Sequence, residues 1–120
     1  MRNISFSMTT PQFIDGSKDV TRRFGWWFLK AGDRLMAVEK AMGLKKGEQM
    51  KRLGVIEIVS ATAEPLGRMA TEREYGLDEL RREGYPFGIT DPFDFVEALA
   101  EKSGKSPFEM VNRIEFKRVP

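Results

Sequence analysis

Along the chain, hydrophobic positions recur with a period of two in some stretches and of three to four in others. From Asn3 to Met8 apolar and polar residues alternate, with Ile4, Phe6 and Met8 on one side, which predicts a half-buried strand. Thr10 followed by Pro11 marks a helix start, with Phe13 and Ile14 as its anchors and Gly16 as its stop. Val20-Thr21, β-branched, opens a second strand. After the turn Ala31-Gly32-Asp33, residues Arg34 to Glu39 read as a strand apolar on both sides, Leu35 and Ala37 against Met36 and Val38. Leu53 to Val59 is nearly continuous in β-branched residues and reads as another strand. Val111 to Val119 alternates as a closing strand, with Ile114 and Phe116 on one face and Arg113, Glu115 and Lys117 on the other.

Two further stretches carry helical spacing. Pro65 to Arg82 is strongly charged and helical in its second half, where Leu77 and Leu80 stand three apart; Gly76 weakens that reading, and Glu83-Gly84-Tyr85-Pro86 ends it as a turn. Asp91-Pro92 caps another helix, with Phe95, Val96 and Leu99 on its apolar face and Gly104 as its stop; Ser106-Pro107 begins a short turn. With no repeat and no linker, the expectation is one α+β domain over residues 1–120.

Composition narrows the chemistry. With 41% hydrophobic residues the chain can fold without staples. It has no cysteine, so no disulfide or thiolate metal site, in keeping with a cytoplasmic location. The lack of histidine is the sharper exclusion. It removes Ser-His-Asp and Cys-His nucleophile schemes and the usual imidazole metal ligands, leaving lysine, carboxylates, tyrosine and hydroxyls for any catalysis. No cofactor or transition metal is expected, though a carboxylate-bound hard cation such as Mg²⁺ stays open. No apolar run reaches transmembrane length, so no membrane partner is expected. Net charge is only +2, but Ser17 to Arg52 holds ten Lys/Arg against four Asp/Glu, and Leu53 to Glu101 four against eleven. The first half thus offers a basic face suited to phosphates, although such segregation equally serves internal charge pairing.

Candidate chemistry concentrates at Asp15-Gly16-Ser17-Lys18-Asp19-Val20-Thr21-Arg22-Arg23. A turn with a lysine, a hydroxyl and two guanidiniums in nine residues favours an anionic or strongly polar ligand. Lys18 with Thr21 makes a base–nucleophile pair if burial or a neighbouring cation, Arg22 or Arg23, lowers the lysine pKa. The plainer alternative is a solvated basic hairpin end. The following run Phe24-Gly25-Trp26-Trp27-Phe28 interleaves aromatics with cations, a pattern that stacks bases and holds phosphates; the alternative places one tryptophan in the core and the other at its rim. Lys40 to Arg52, with Lys45, Lys46, Lys51 and Arg52 around Gly43 and Gly47, reads as an exposed basic loop able to guide a polyanion. Glu57, inside a strand, faces out or else needs a buried cation.

Gly16, Lys18, Thr21 and Arg23 match G-x-K-x-x-T-x-R, which resembles the signature of the ASCH domain, a branch of the PUA-like β-barrels. Gly32-Asp33-Arg34-Leu35, Val55 to Val59, Glu83-Gly84-Tyr85 and Asn112 to Phe116 resemble the family's later landmarks, in order, over nearly the whole chain. The resemblance implies a small, mostly antiparallel β-barrel with helices packed at its openings. It also implies two functions. Some members bind RNA, act in RNA processing or cut single-stranded RNA; others are amidohydrolases that remove the acetyl group from acetylcytidine. Carried over from the latter, Lys18 would be the base, Thr21 the nucleophile and Arg23 the positioning cation. Glu83 would be the carboxylate, with Glu74, before Tyr75-Gly76, as a competitor because the chain has extra residues between Val59 and Glu83. The tryptophans and the basic loop look more like longer phage and bacterial members. The expectation is therefore binding of RNA or a nucleotide, with Arg22, Arg23, Trp26, Trp27, Lys45 and Lys46 as ligand contacts; hydrolysis of a modified nucleoside is the alternative, and a scaffold without ligand a third reading.

Overall fold

The computed structural model describes residues 1–41, 43–85 and 89–120. In chain order the elements are β1 (Asn3–Ser5), α1 (Thr10–Asp15), β2 (Val20–Arg23), β3 (Arg34–Val38), β4 (Arg52–Pro65), α2 (Arg68–Thr71), α3 (Arg73–Glu83), α4 (Pro92–Ser103) and β5 (Met110–Arg118). The strands form one sheet in the order β1-β3-β4-β5-β2, antiparallel except for the β1–β3 pair. The fold is α+β.

The expected barrel does not close among the described residues. β1 and β2 are the two edges of the sheet and share no ladder. A side chain spans the gap instead: Arg23 Nη2 donates to the Ser5 carbonyl at 2.6 Å. A guanidinium between two edges takes up room that backbone hydrogen bonding would need to cross, since paired strands sit only about 4.8 Å apart.

β4 is the spine and outruns its expected end at Val59 by six residues. A bulge between Ile58 and Ser60 shifts its register against β5 and leaves Val59 exposed. Such a bulge bends a strand, and here β4 serves two cores. One gathers Ile4, Phe6, Phe13, Leu35, Ile56 and Phe116 beneath α1; the other gathers Leu66, Met69, Leu80, Phe95, Val96 and Val111 beneath α2, α3 and α4. Glu57 faces outward as expected, paired with Arg34 and Lys117.

Local differences have local causes. β1 ends at Ser5 because the Phe6 carbonyl accepts from Thr9 N and from the Thr10 hydroxyl, which turns the chain into α1 and leaves Met8 exposed. Ile14 is exposed too, so Phe13 alone anchors α1. In α3 the buried face is Gly76, Glu79, Leu80 and Glu83, while Leu77 is exposed. Two carboxylates thus sit where an apolar stripe was expected. α4 behaves as read: Asp91 caps it by accepting from Phe93 N, and Gly104 ends it in the left-handed conformation. Pro86, part of the expected turn after α3, lies outside the described residues.

Candidate functional site

The site forms where β2 meets the end of α3. α1 stops at Gly16, whose φ of 85° suits glycine, and Asp15 Oδ1 accepts from Ser17 N at 2.8 Å to shape the turn. Lys18 N then donates to the Gln12 carbonyl, and Asp19 binds the Arg82 guanidinium through both oxygens, at 2.9 and 3.0 Å. Gly84 makes the approach of α3 feasible: a Cβ there would lie 2.8 Å from Gln12 Cβ and 3.1 Å from Lys18 Cβ. Lys18 and Glu83, 65 residues apart, are thereby pressed together.

The Lys18 ammonium is buried and has three acceptors: the Glu83 carbonyl at 2.7 Å, the Val20 carbonyl at 2.8 Å and Glu83 Oε1 at 3.1 Å. These match the three N–H bonds of a protonated lysine. Burial pulls the Lys18 pKa below its ordinary value, with Glu83 opposing that pull. No hydrogen bond joins Lys18 to Thr21; the Thr21 hydroxyl accepts from Arg23 Nε at 2.9 Å instead.

Arg22 occupies a cage of carboxylates. Its Nη1 donates to Glu83 Oε2 at 3.1 Å, and its Nη2 reaches Glu79 Oε1 at 2.6 Å and Glu64 Oε2 and Tyr75 Oη at 3.1 Å each. Its side chain has no exposed surface. Burial disfavours the charge, but Glu83, Glu79 and Glu64 outweigh it and hold Arg22 above its usual value. Burial likewise disfavours the Glu79 carboxylate, yet hydrogen bonds from Arg113 and Arg22 bring it down to about 2. Burial raises Tyr75 to about 12. The Arg22 guanidinium, expected to meet a ligand, is turned into the protein.

Beside this cage opens a cleft of about 510 Å³. Lys18, Thr21, Arg22, Arg23, Trp26 and Glu83 line it, so the structure brings together most of the residues singled out by sequence. Arg23 is one of the cations that line it. Its Nε and Nη2 bond to Thr21 and to the Ser5 carbonyl, its guanidinium lies over the Phe6 ring at 5.4 Å, and no carboxylate pairs with it among the described residues. Burial holds its pKa below the ordinary arginine value, against the pull of Glu83. Trp26, at a φ of 61°, packs partly on the core and partly into the cleft, with its carbonyl held by Asn112 Nδ2 at 2.9 Å.

Other expected contacts lie elsewhere. Trp27 is exposed and does not line the cleft; nor do Lys45 and Lys46, which sit exposed in the β3–β4 loop. Glu74 is exposed in the first turn of α3, so Glu83 is the carboxylate at the cleft. In place of the loop lysines the cleft has Lys102 and Lys105, at the end of α4 and just past it. The sequence signal for them was faint, a modest basic excess after Glu101. Among the described residues no group of three His, Cys, Asp or Glu side chains is placed to hold a metal ion, and no helix is long and apolar enough to cross a membrane.

The arrangement can bind an anion at Arg23 and a flat ring beside Trp26, with Thr21 as a hydroxyl at the centre. No family model and no curated protein matches the chain. One solved structure similar to it is that of a DUF984-family protein from Enterococcus faecalis V583, at 17% identity, covering 92% of this chain and 69% of the other, with a TM-score of 0.49.

Proposed function

We propose that the protein is an RNA- or nucleotide-binding ASCH-type domain whose ligand enters the cleft beside Arg23. The observation that carries this reading is the Arg23 guanidinium. It lines a cleft beside Trp26 with no carboxylate partner among the described residues, whereas the neighbouring cations Lys18 and Arg22 are paired with carboxylates, Lys18 with Glu83 and Arg22 with Glu83, Glu79 and Glu64. A desolvated arginine with spare donors suits phosphate or a base edge, and a half-buried tryptophan offers a stacking face. The PUA-like barrel remains the architecture this resemblance implies, with Arg23 bridging the two sheet edges.

A second reading, amidohydrolase action on acetylcytidine by Lys18, Thr21 and Glu83, draws support from the lowered Lys18 pKa in a cleft. Against it stands the Thr21 hydroxyl, engaged by Arg23 and not by Lys18. A base must reach the proton it removes. Binding is the better supported function.

The test pairs two assays on wild type, Lys18→Ala and Arg23→Gln. Single-stranded RNA and nucleotides are titrated, and acetylcytidine is incubated with chromatographic readout. Binding that Arg23→Gln weakens, without acetyl release, upholds the proposal. Acetyl release abolished by Lys18→Ala replaces it with the second reading, and failure to bind any nucleic-acid ligand refutes it.

A further inference from the structure

We infer that the ligand of the cleft carries a phosphate, seated at the Lys102–Lys105 end, so that a nucleotide or a phosphorylated RNA segment is preferred to a free nucleoside. This rests on the nucleic-acid reading above and deepens it. Phe95, Leu99, Lys102 and Ser103 all line the cleft. Their spacing of four, seven and eight residues puts them on one face of α4. Lys102 is therefore aligned with the cleft-facing apolar residues of its helix.

The charge at this rim is uncompensated. Among the described residues Lys102 Nζ meets only the thioether of Met8, at 2.8 Å, and a thioether is a weak acceptor. Lys18, Lys40, Lys51 and Lys117 each have a carboxylate partner; of the lysines without one among the described residues, Lys102 and Lys105 are the two that line the cleft. Glu83 is the one carboxylate lining the cleft, and Lys18 and Arg22 occupy both of its oxygens. The end of a helix carries partial negative charge that would repel an anion. Here Gly104 N and Lys105 N already donate to the Glu101 and Ala100 carbonyls, which blunts that repulsion. Phe95, Leu99 and Tyr85 line the cleft too, with the Tyr85 ring edge-on to Phe95 at 5.1 Å and its hydroxyl 3.8 Å from the same Met8 thioether. The cleft thus combines Arg23, Thr21 and Trp26 with apolar residues, two lysines and the Ser103 hydroxyl. A base with a phosphate on its sugar calls for that combination of chemistries.

The test titrates the intact protein with the four nucleoside 5′-monophosphates, the matching nucleosides, inorganic phosphate, and short single-stranded RNA with and without a 5′-phosphate. Wild type is compared with Lys102→Gln/Lys105→Gln, whose exposed positions leave folding intact, and with Arg23→Gln. The expected result is binding of phosphorylated ligands roughly tenfold or more above their unphosphorylated forms, the worth of one charge-assisted contact. The double lysine variant should erase that difference, leave nucleoside binding unchanged, and lower the salt slope for RNA by about 0.7 per lost contact. Monophosphate against 5′-phosphorylated RNA identifies the source of the phosphate. Equal affinity for nucleoside and monophosphate, or phosphate dependence that survives in the double variant, overturns the inference while leaving the nucleic-acid reading intact. Binding of inorganic phosphate alone, lost in the double variant, upholds the subsite and refutes that reading; no binding of any kind overturns both.

Discussion

Arg22 and Glu83 meet inside the protein, Nη1 to Oε2 at 3.1 Å, and the other oxygen of the same carboxylate accepts from Lys18 at 3.1 Å. One glutamate therefore ties the buried cation of β2 to the lysine of the preceding turn. Because Arg22 also holds Glu79 and Glu64, it is the centre of the whole cage behind the cleft.

Replacing Arg22 by methionine should leave Glu64, Glu79 and Glu83 short of a buried counter-charge. The expected loss is roughly 3–5 kcal/mol of folding stability, the range for breaking a buried ion pair from one side. Denaturant unfolding measures it. Arg22→Lys should recover little, because a single ammonium cannot reach the partners of both guanidinium nitrogens.

Arg23, next along the strand, should behave in the opposite way. Arg23→Gln removes hydrogen bonds to Thr21 and Ser5 but leaves no carboxylate unpaired among the described residues. Stability should fall by no more than about 2 kcal/mol, while affinity for nucleotide or RNA drops by roughly tenfold or more. Unfolding and titration curves on the same preparation separate the two effects.

Glu79 should make the fold acid-sensitive. Its carboxylate titrates near about 2 in the folded chain against an ordinary value of 4.5. A depressed acid contributes stability in full above the unfolded value and loses it as pH falls toward the folded one. Unfolding free energy should therefore decline from about pH 4.5 toward about pH 2, and in Glu79→Gln that part of the pH dependence should disappear. Thermal or denaturant unfolding across this range is the measurement.

Gly76→Ala should destabilise the protein although alanine is the better helix former. A Cβ at Gly76 would stand 1.9 Å from the Met69 carbonyl oxygen and 2.9 Å from Pro92 Cβ. Forcing α3 away from α2 and α4 should cost roughly 1–3 kcal/mol, as overpacking does, read as a lowered unfolding midpoint.

Much of this was legible in the residues. Alternation located the strands around Ile4 and Ile114, continuous apolar or β-branched runs located those around Leu35 and Ile56, and caps and glycines placed α1 and α4, because those signals act within a few residues of one another. The turn from Gly16 to Arg23 also stood out as the place for polar chemistry. Of the partners of its cations only Glu83 did, through the resemblance; Glu64 and Glu79 did not. Periodicity marks a buried helical face by apolar residues, so Leu77 read as core and Glu79 carried no signal at all. Only the packing of α3 on β2 could show that Arg22 answers Glu79 and Glu83 from 57 and 61 residues away. Gly76 read as a weakness in a helix until the Met69 carbonyl was seen against it. The cleft's basic rim went to Lys102 and Lys105 and not to the loop lysines for the same reason. Local sequence determines how a segment is shaped, whereas which charges face each other depends on distances that arise only when remote segments pack.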